Sequence, residues 1–185
     1  MNDTYAKFSP ITIALHWLVG LSIIGLILIG TYMEENEVYA LYDIHKAFGV
    51  IIFVFILYRV FWRIKNGWPK PAGDYSQLEH LLAKIIHYVL LIGTLLFPIS
   101  GMVYSGFGGF GIDIFGLELV AENLNPNNPD EFLAHNETFA ELGKETHGFL
   151  GDIMIIAILL HIAGALKHHM LDKDGTLKRM LGKSI

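Results

Sequence analysis

Four stretches of this chain run for about twenty residues with almost no charged side chain, and runs of that length leave a polypeptide few options. A hydrocarbon layer roughly 30 Å thick is crossed by about 20 apolar residues rising 1.5 Å each. Inside it every backbone N–H and C=O must be paired within the protein, which selects helices here. The first run spans about residues 10–33 without one Asp, Glu, Lys or Arg, between Lys7 and the cluster Glu34, Glu35 and Glu37. The second covers about 44–63 and ends in Arg59, Arg63 and Lys65. The third, about 85–104, contains Pro98, which is expected to kink it, and the fourth, about 147–167, carries only Asp152 near its start. A charged fraction of 17% and a mean hydropathy of +0.47 lie outside the soluble norm of about 25% charged. The expected fold is an all-α integral-membrane four-helix bundle in one domain, 1–185. The first run exceeds the 7–15-residue core of a signal peptide and no small-residue cleavage pattern follows it, so it reads as a retained span.

An even number of crossings puts both termini on one side, and the distribution of Lys and Arg chooses that side. With the termini and the second connection inside, eleven basic residues gather on the inner face and two, Lys46 and Lys144, on the outer. Five acidic residues fall inside and thirteen outside, so the faces sum to about +6 and −11. Both termini are therefore expected to be cytoplasmic. The net charge of −5 and the absence of a basic helix argue against a nucleic-acid partner. With no cysteine, disulfides, thiolate zinc sites, cysteine-bound iron–sulfur clusters and covalent C-x-x-C-H haem attachment are excluded. Metal chemistry must rest on the nine histidines or on carboxylates.

The long outer connection, 105–145, opens with GFGGFG at Gly106–Gly111 and passes through the turn-forming NPNNPDE at Asn125–Glu131. It then reads as a short amphipathic helix carrying Phe132, Phe139 and Leu142. GFGGFG is no phosphate loop, since no strand precedes it and no Lys-Ser or Lys-Thr follows. The segment is a surface excursion or, alternatively, a surface that docks a partner or covers a site.

Ionisable residues inside a span are costly and default to a functional hypothesis. His16 lies six residues in from Pro10 and His161 six residues in from Lys167, so both sit roughly 9 Å deep from the inner face. His45 and His147 open the second and fourth spans at the outer boundary. His147 and His161 are 14 residues apart, which places them within about 40° of one azimuth and about 21 Å apart along the axis. Two opposed imidazoles at each level would close the axial positions of a haem iron held between bundle helices. The pattern predicts two stacked b-type haems without covalent attachment, the inner on His16 and His161 and the outer on His45 and His147. A macrocycle against a helix needs small residues one turn beyond the ligand, and these four histidines are followed at i+4 by Gly20, Gly49, Gly151 and Ala165. The other five are followed by larger residues. Packing histidines without a cofactor are the plainer alternative, and zinc fits less well because each level offers only two imidazoles.

His87, in the inner half of the third span, is an alternative inner ligand. His80 and His135 read as interfacial or loop residues. His168 returns near the azimuth of His161, roughly 10 Å closer to the inner surface. There it is either a proton-handling contact for a quinone or a snorkelling residue beside His169, Lys167 and Lys173. Asp152 either hydrogen-bonds a ligand imidazole or meets lipid. Trp17, Trp62, Trp68, Tyr32 and Tyr104 fall near span ends, where aromatic belts are expected, and Trp17 has a site role as its alternative.

Five motifs carry a family resemblance: LHW at Leu15–Trp17, IHKAFG at Ile44–Gly49 with Arg59 later in that span, FPISG at Phe97–Gly101, THGFLG at Thr146–Gly151, and LHIAGALKHH at Leu160–His169 followed by DGTLKRM. Together they resemble the bacterial cytochrome b561 type, a four-helix di-haem b cytochrome of the inner membrane. The resemblance covers most of the chain and implies His16 and His161 as inner ligands, His45 and His147 as outer ones, ubiquinone as exchangeable substrate and His168 as a quinone contact. Some members look like superoxide oxidases that pass an electron from superoxide to quinone. The outer connection here looks longer and more acidic than in compact members. A face near −11 should repel superoxide and attract a cationic periplasmic redox protein.

The expectation is membrane electron transfer from a periplasmic donor through two haems to ubiquinone. The alternatives are a haem-bearing anchor that links a periplasmic dehydrogenase, hydrogenase or c-type cytochrome to the quinone pool, and a haem-free proton or metal transporter, which the lack of an inverted repeat disfavours.

Overall fold

The computed structural model describes residues 3–185. Four long helices dominate it: α1 (Pro10–Glu35), α2 (Ala40–Asn66), α3 (Gln77–Phe107) and α4 (Glu137–Met170). Between α3 and α4 lie four short strands, β1 (Phe110–Ile114), β2 (Leu117–Glu122), β3 (Leu124–Asn125) and β4 (Asn128–Phe132), and a short helix α5 (Thr176–Met180) follows α4. Each helix outruns the uncharged run inside it, because polar residues end the apolar pattern before they end the hydrogen-bonded helix. The starts are capped by side chains that accept otherwise orphaned N–H groups. Ser9 accepts from the Thr12 amide with Pro10 behind it, Ser76 and Glu79 form a reciprocal capping box, and Asn136 accepts from the Phe139 amide. Helix α3 continues through Pro98.

The buried core is small: Val19, Ile23, Leu26, Ile52, Ile56, Phe97 and Met154 meet along the centre. Large apolar side chains instead cover the outside, with Leu28 66% and Leu159 62% exposed. Such a surface is stable only against hydrocarbon, and all four long helices are long and apolar enough to cross a membrane. Helices α3 and α4 approach most closely. A Cβ on Gly143 would sit 2.5 Å from the Tyr104 amide nitrogen, so this crossing requires glycine.

The outer connection departs from its expected form. No separate amphipathic helix follows NPNNPDE; Phe132 lies in β4, whereas Phe139 and Leu142 belong to the first turns of α4. The strands make two antiparallel hairpins, β1–β2 and β3–β4, an addition to the all-α expectation. Gly109 and Gly111 of the GFGGFG stretch take φ of +80° and +63°, a region where glycine escapes the steric penalty of a side chain. They turn the chain from α3 into β1. Lys46 donates to the Phe110 carbonyl at 2.9 Å, and Phe48 meets Phe115 edge-on at 5.6 Å, so β1 is held against the start of α2.

At the opposite end, α5 ties the termini together. Buried Arg179 donates to the carbonyls of Tyr5 and Lys70, both at 3.1 Å, and the Ile185 amide donates to Ala6. Trp62 is buried and donates to Thr12 Oγ1 at 2.9 Å, which corrects its assignment to an aromatic belt.

Candidate functional site

Every long helix brings one residue to each of two levels, and in each helix those two residues are 14 apart. The pairs are His16 and Gly30 in α1, Arg59 and His45 in α2, His87 and Gly101 in α3, and His161 and His147 in α4. Fourteen residues is about four turns and about 21 Å, so one helical face serves both levels. At one level His45 and His147 face each other with ring centroids 6.2 Å apart; at the other, His16 and His161 stand 5.9 Å apart. Two imidazoles sharing one metal atom through bonds of about 2 Å put their centroids about 6 Å apart. Both pairs fit that requirement, so each could hold one metal ion, a haem iron included.

Hydrogen bonding supports the same fit. His147 Nδ1 lies 2.9 Å from the Phe97 carbonyl, which only accepts, so Nδ1 carries the proton and Nε2 keeps its lone pair. A backbone carbonyl accepting from the far nitrogen is the usual way a metal-binding imidazole is oriented. Ser100 Oγ lies 3.2 Å from the same Nδ1, and the Phe97 ring stacks on His147 at 4.4 Å. Buried His45 Nδ1 makes no hydrogen bond of ordinary geometry among the described residues; the backbone acceptor beside His45 is the Leu26 carbonyl, one turn before Gly30, as the Phe97 carbonyl, one turn before Gly101, is for His147.

The glycines divide into two kinds. Beside Gly20 and Gly49 no heavy atom lies within 4 Å of where a Cβ would stand, which leaves open space next to His16 and His45. Gly151 instead backs onto the Phe97 ring at 3.7 Å, so it packs against protein, and Ala165 is half-buried. Two glycines that the i+4 rule does not reach touch the imidazoles from neighbouring helices. A Cβ on Gly30 would stand 3.2 Å from His45 Cε1, and one on Gly101 would stand 2.9 Å from His147 Cε1. His87 belongs to the inner level, with its ring 5.3 Å from His161 and 6.0 Å from Trp68. Trp17 packs edge-on against His16 at 5.5 Å and donates to the Met180 carbonyl at 2.9 Å.

His168 sits beyond the inner level in a polar network. Its Nδ1 is 2.7 Å from Asp172 and 3.5 Å from Asp174, and its ring meets Tyr75 at 4.4 Å. Tyr75 donates to Asp174, and Lys167 bridges Asp172 and Glu79, joining the ends of α4 and α3. The hydrogen bond from Lys167 holds the Asp172 carboxyl below its ordinary range, and burial together with Asp174 raises the Tyr75 hydroxyl. Although His168, Asp172 and Asp174 offer three ligand atoms within 4.8 Å, their oxygens are engaged by Lys167, Tyr75 and the Thr176 amide. A cleft of about 440 Å³ nearby is lined by Tyr5, Lys70, Asp74 and His80 but not by His168. At the other end, an apolar cleft of about 460 Å³ lies between α3 and the β1–β2 hairpin, with His135 on its wall. Asp152 is exposed.

The family described as prokaryotic cytochrome b561 matches residues 7–183. Cytochrome b561 homolog 2 of Escherichia coli K12 is 30% identical over 188 residues, covering 99% of this chain and 95% of that protein. Cytochrome b561 homolog 1 of the same organism is 25% identical, covering 95% of this chain and 97% of that protein. A protein of Yersinia pestis named probable superoxide oxidase CybB is 27% identical, covering 97% and 98%. With a match over nearly its whole length and four membrane-crossing helices, the chain belongs to the prokaryotic cytochrome b561 family and is a multi-pass protein of the inner membrane.

Proposed function

We propose that this protein carries electrons across the membrane on two b-type haems, from a periplasmic donor to ubiquinone, with its termini in the cytoplasm. Family membership supports membrane electron transfer at the coarse level. The observation that carries the finer reading is the pair of imidazole couples, 5.9 and 6.2 Å between centroids, one at each end of the bundle. His16 and His161 would hold the iron nearer the cytoplasm, and His45 and His147 the iron nearer the periplasm. Such haems would supply one-electron carriage when bound.

The chain's own residues do the rest. Phe97 and Ser100 orient His147, and Gly30 and Gly101 let α1 and α3 close on the outer imidazoles. Near the cytoplasmic surface the Asp172 carboxylate accepts from His168 Nδ1, which leaves Nε2 to hold a proton toward a quinone oxygen. The test is a reduced-minus-oxidised optical spectrum with a haem-to-protein ratio. Two low-spin haems per chain are expected; a colourless chain or a single haem would overturn the reading.

A second reading, a haem-bearing anchor for a periplasmic redox enzyme, draws on the hairpins. They stand over the outer level and expose Glu118, Glu122, Asp130 and Glu131, a surface suited to a cationic partner. If the purified chain alone turns over donor and quinone, the superoxide-oxidase type of activity is favoured. If activity returns only with a larger partner, the anchor is.

A further inference from the structure

The two levels differ in the charges around them. At the outer level α1 and α3 supply Gly30 and Gly101. At the inner level the same register supplies His87 and, from α2, Arg59, a half-buried guanidinium inside a span. Among the described residues no carboxylate forms an ion pair with Arg59. The 14-residue register puts Arg59 at the level of His16, His87 and His161, close enough for its charge to act on all three. The neighbouring Arg63 also acts on His16 and His87, but it bonds the Gly67 carbonyl at 2.9 Å and lies 3.7 Å from Asp3, so it has a counter-charge that Arg59 lacks. The outer level has no such uncountered arginine among the described residues. Lys46 is neutralised by Asp43 at 2.9 Å, and the charge that reaches His147 is that of Glu34.

An unpaired cation in a span is costly and marks a function. A haem iron held there by two neutral imidazoles would lose one positive charge on taking up one electron. A fixed cation favours that change and a fixed anion opposes it. We infer that Arg59 makes the inner haem the easier of the two to reduce, so that electron flow from the periplasmic to the cytoplasmic level runs downhill. A guanidinium that also met a haem carboxylate would act in the same direction.

This inference rests on the di-haem reading, and the test separates the two. Potentiometric titration of the holoprotein in detergent is followed on the haem absorption bands, with the haem content of every variant measured first. A wild-type protein without two haems overturns the di-haem reading and this inference together. Given two haems, His147→Ala leaves the inner one alone and assigns its midpoint, which is expected to be the higher of the two. In that background Arg59→Gln should weaken reduction of the inner haem about tenfold, a fall of about 59 mV for one electron. Arg59→Lys should restore the midpoint. An inner midpoint below the outer one overturns the inference even if Arg59→Gln fails to hold haem. So does an unchanged midpoint in Arg59→Gln, or a fall in Arg59→Lys equal to that in Arg59→Gln.

Discussion

Single atoms set the geometry of the outer level. His147 is held by a backbone carbonyl on one edge and by Gly101 on its flank, where a Cβ would come within 2.9 Å of the ring. Gly101→Val therefore has to displace the imidazole, and the expected result is a folded protein with one haem in place of two, read from the haem-to-protein ratio. His45→Ala should give the same ratio, and two intact low-spin haems in either variant would remove the outer assignment. His168 poses a question of proton supply. Replacing it by Ala should slow quinone reduction about 10²-fold while both haems stay reducible; an unchanged rate would rule it out as the quinone contact. The pairing of the histidines by level was legible because a helix rise converts residue number into height. Gly30 and Gly101 were not, because their contacts come from neighbouring helices, and only the common 14-residue register hints at them.

At the scale of elements, the inner surface is joined by Lys167, which bridges Asp172 at the end of α4 and Glu79 at the start of α3. Because the Asp172 carboxyl is held below its ordinary value of 3.8, its contribution to stability is complete above about pH 4. It is lost as pH falls through the lowered value. Thermal unfolding in detergent should thus separate wild type from Asp172→Asn at pH 6 and bring them together in acid below that point; a constant difference at all pH values would contradict the linkage. The outer connection shows where sequence patterning stops. Glu137, Glu141, Lys144 and Glu145 end the apolar run, so the start of the fourth span is expected at His147, yet Ala140 and Gly143 are buried and carry α4 ten residues further. The strands are short and mostly exposed, with too little alternation to read as strands; only their turn residues stand out. Both hairpins leave and rejoin the bundle at one place, since the Asn123 amide donates to Gly109 at 2.9 Å and the Leu133 amide to Asn123 at 2.7 Å. Replacing residues 110–132 by a short Gly-Ser linker should leave the four helices and both haems intact. Loss of haem would show that the hairpins are needed to close the outer level.

Over the whole molecule, charge was the most legible property, because its asymmetry needs only the order of spans. On the proposed orientation the periplasmic side carries about −11 and the cytoplasmic side about +6, and part of the −11 is the exposed acids of the hairpins above the outer histidines. Such a field acts on a donor before any contact forms, and salt screens it over about 10 Å at 0.1 M. The two candidate donors carry opposite signs, so ionic strength distinguishes them. A basic cytochrome is drawn in, and its second-order rate of reducing the protein should fall as salt rises. Superoxide is repelled, and its rate should climb over the same range. Stopped-flow reduction from 0.01 to 0.5 M salt measures both slopes, and neutralising Glu118, Glu122, Asp130 and Glu131 should flatten whichever slope is found. A rate that ignores salt with both donors would mean that this acidic face does not steer the encounter, and the hairpins would lose their role as a docking surface.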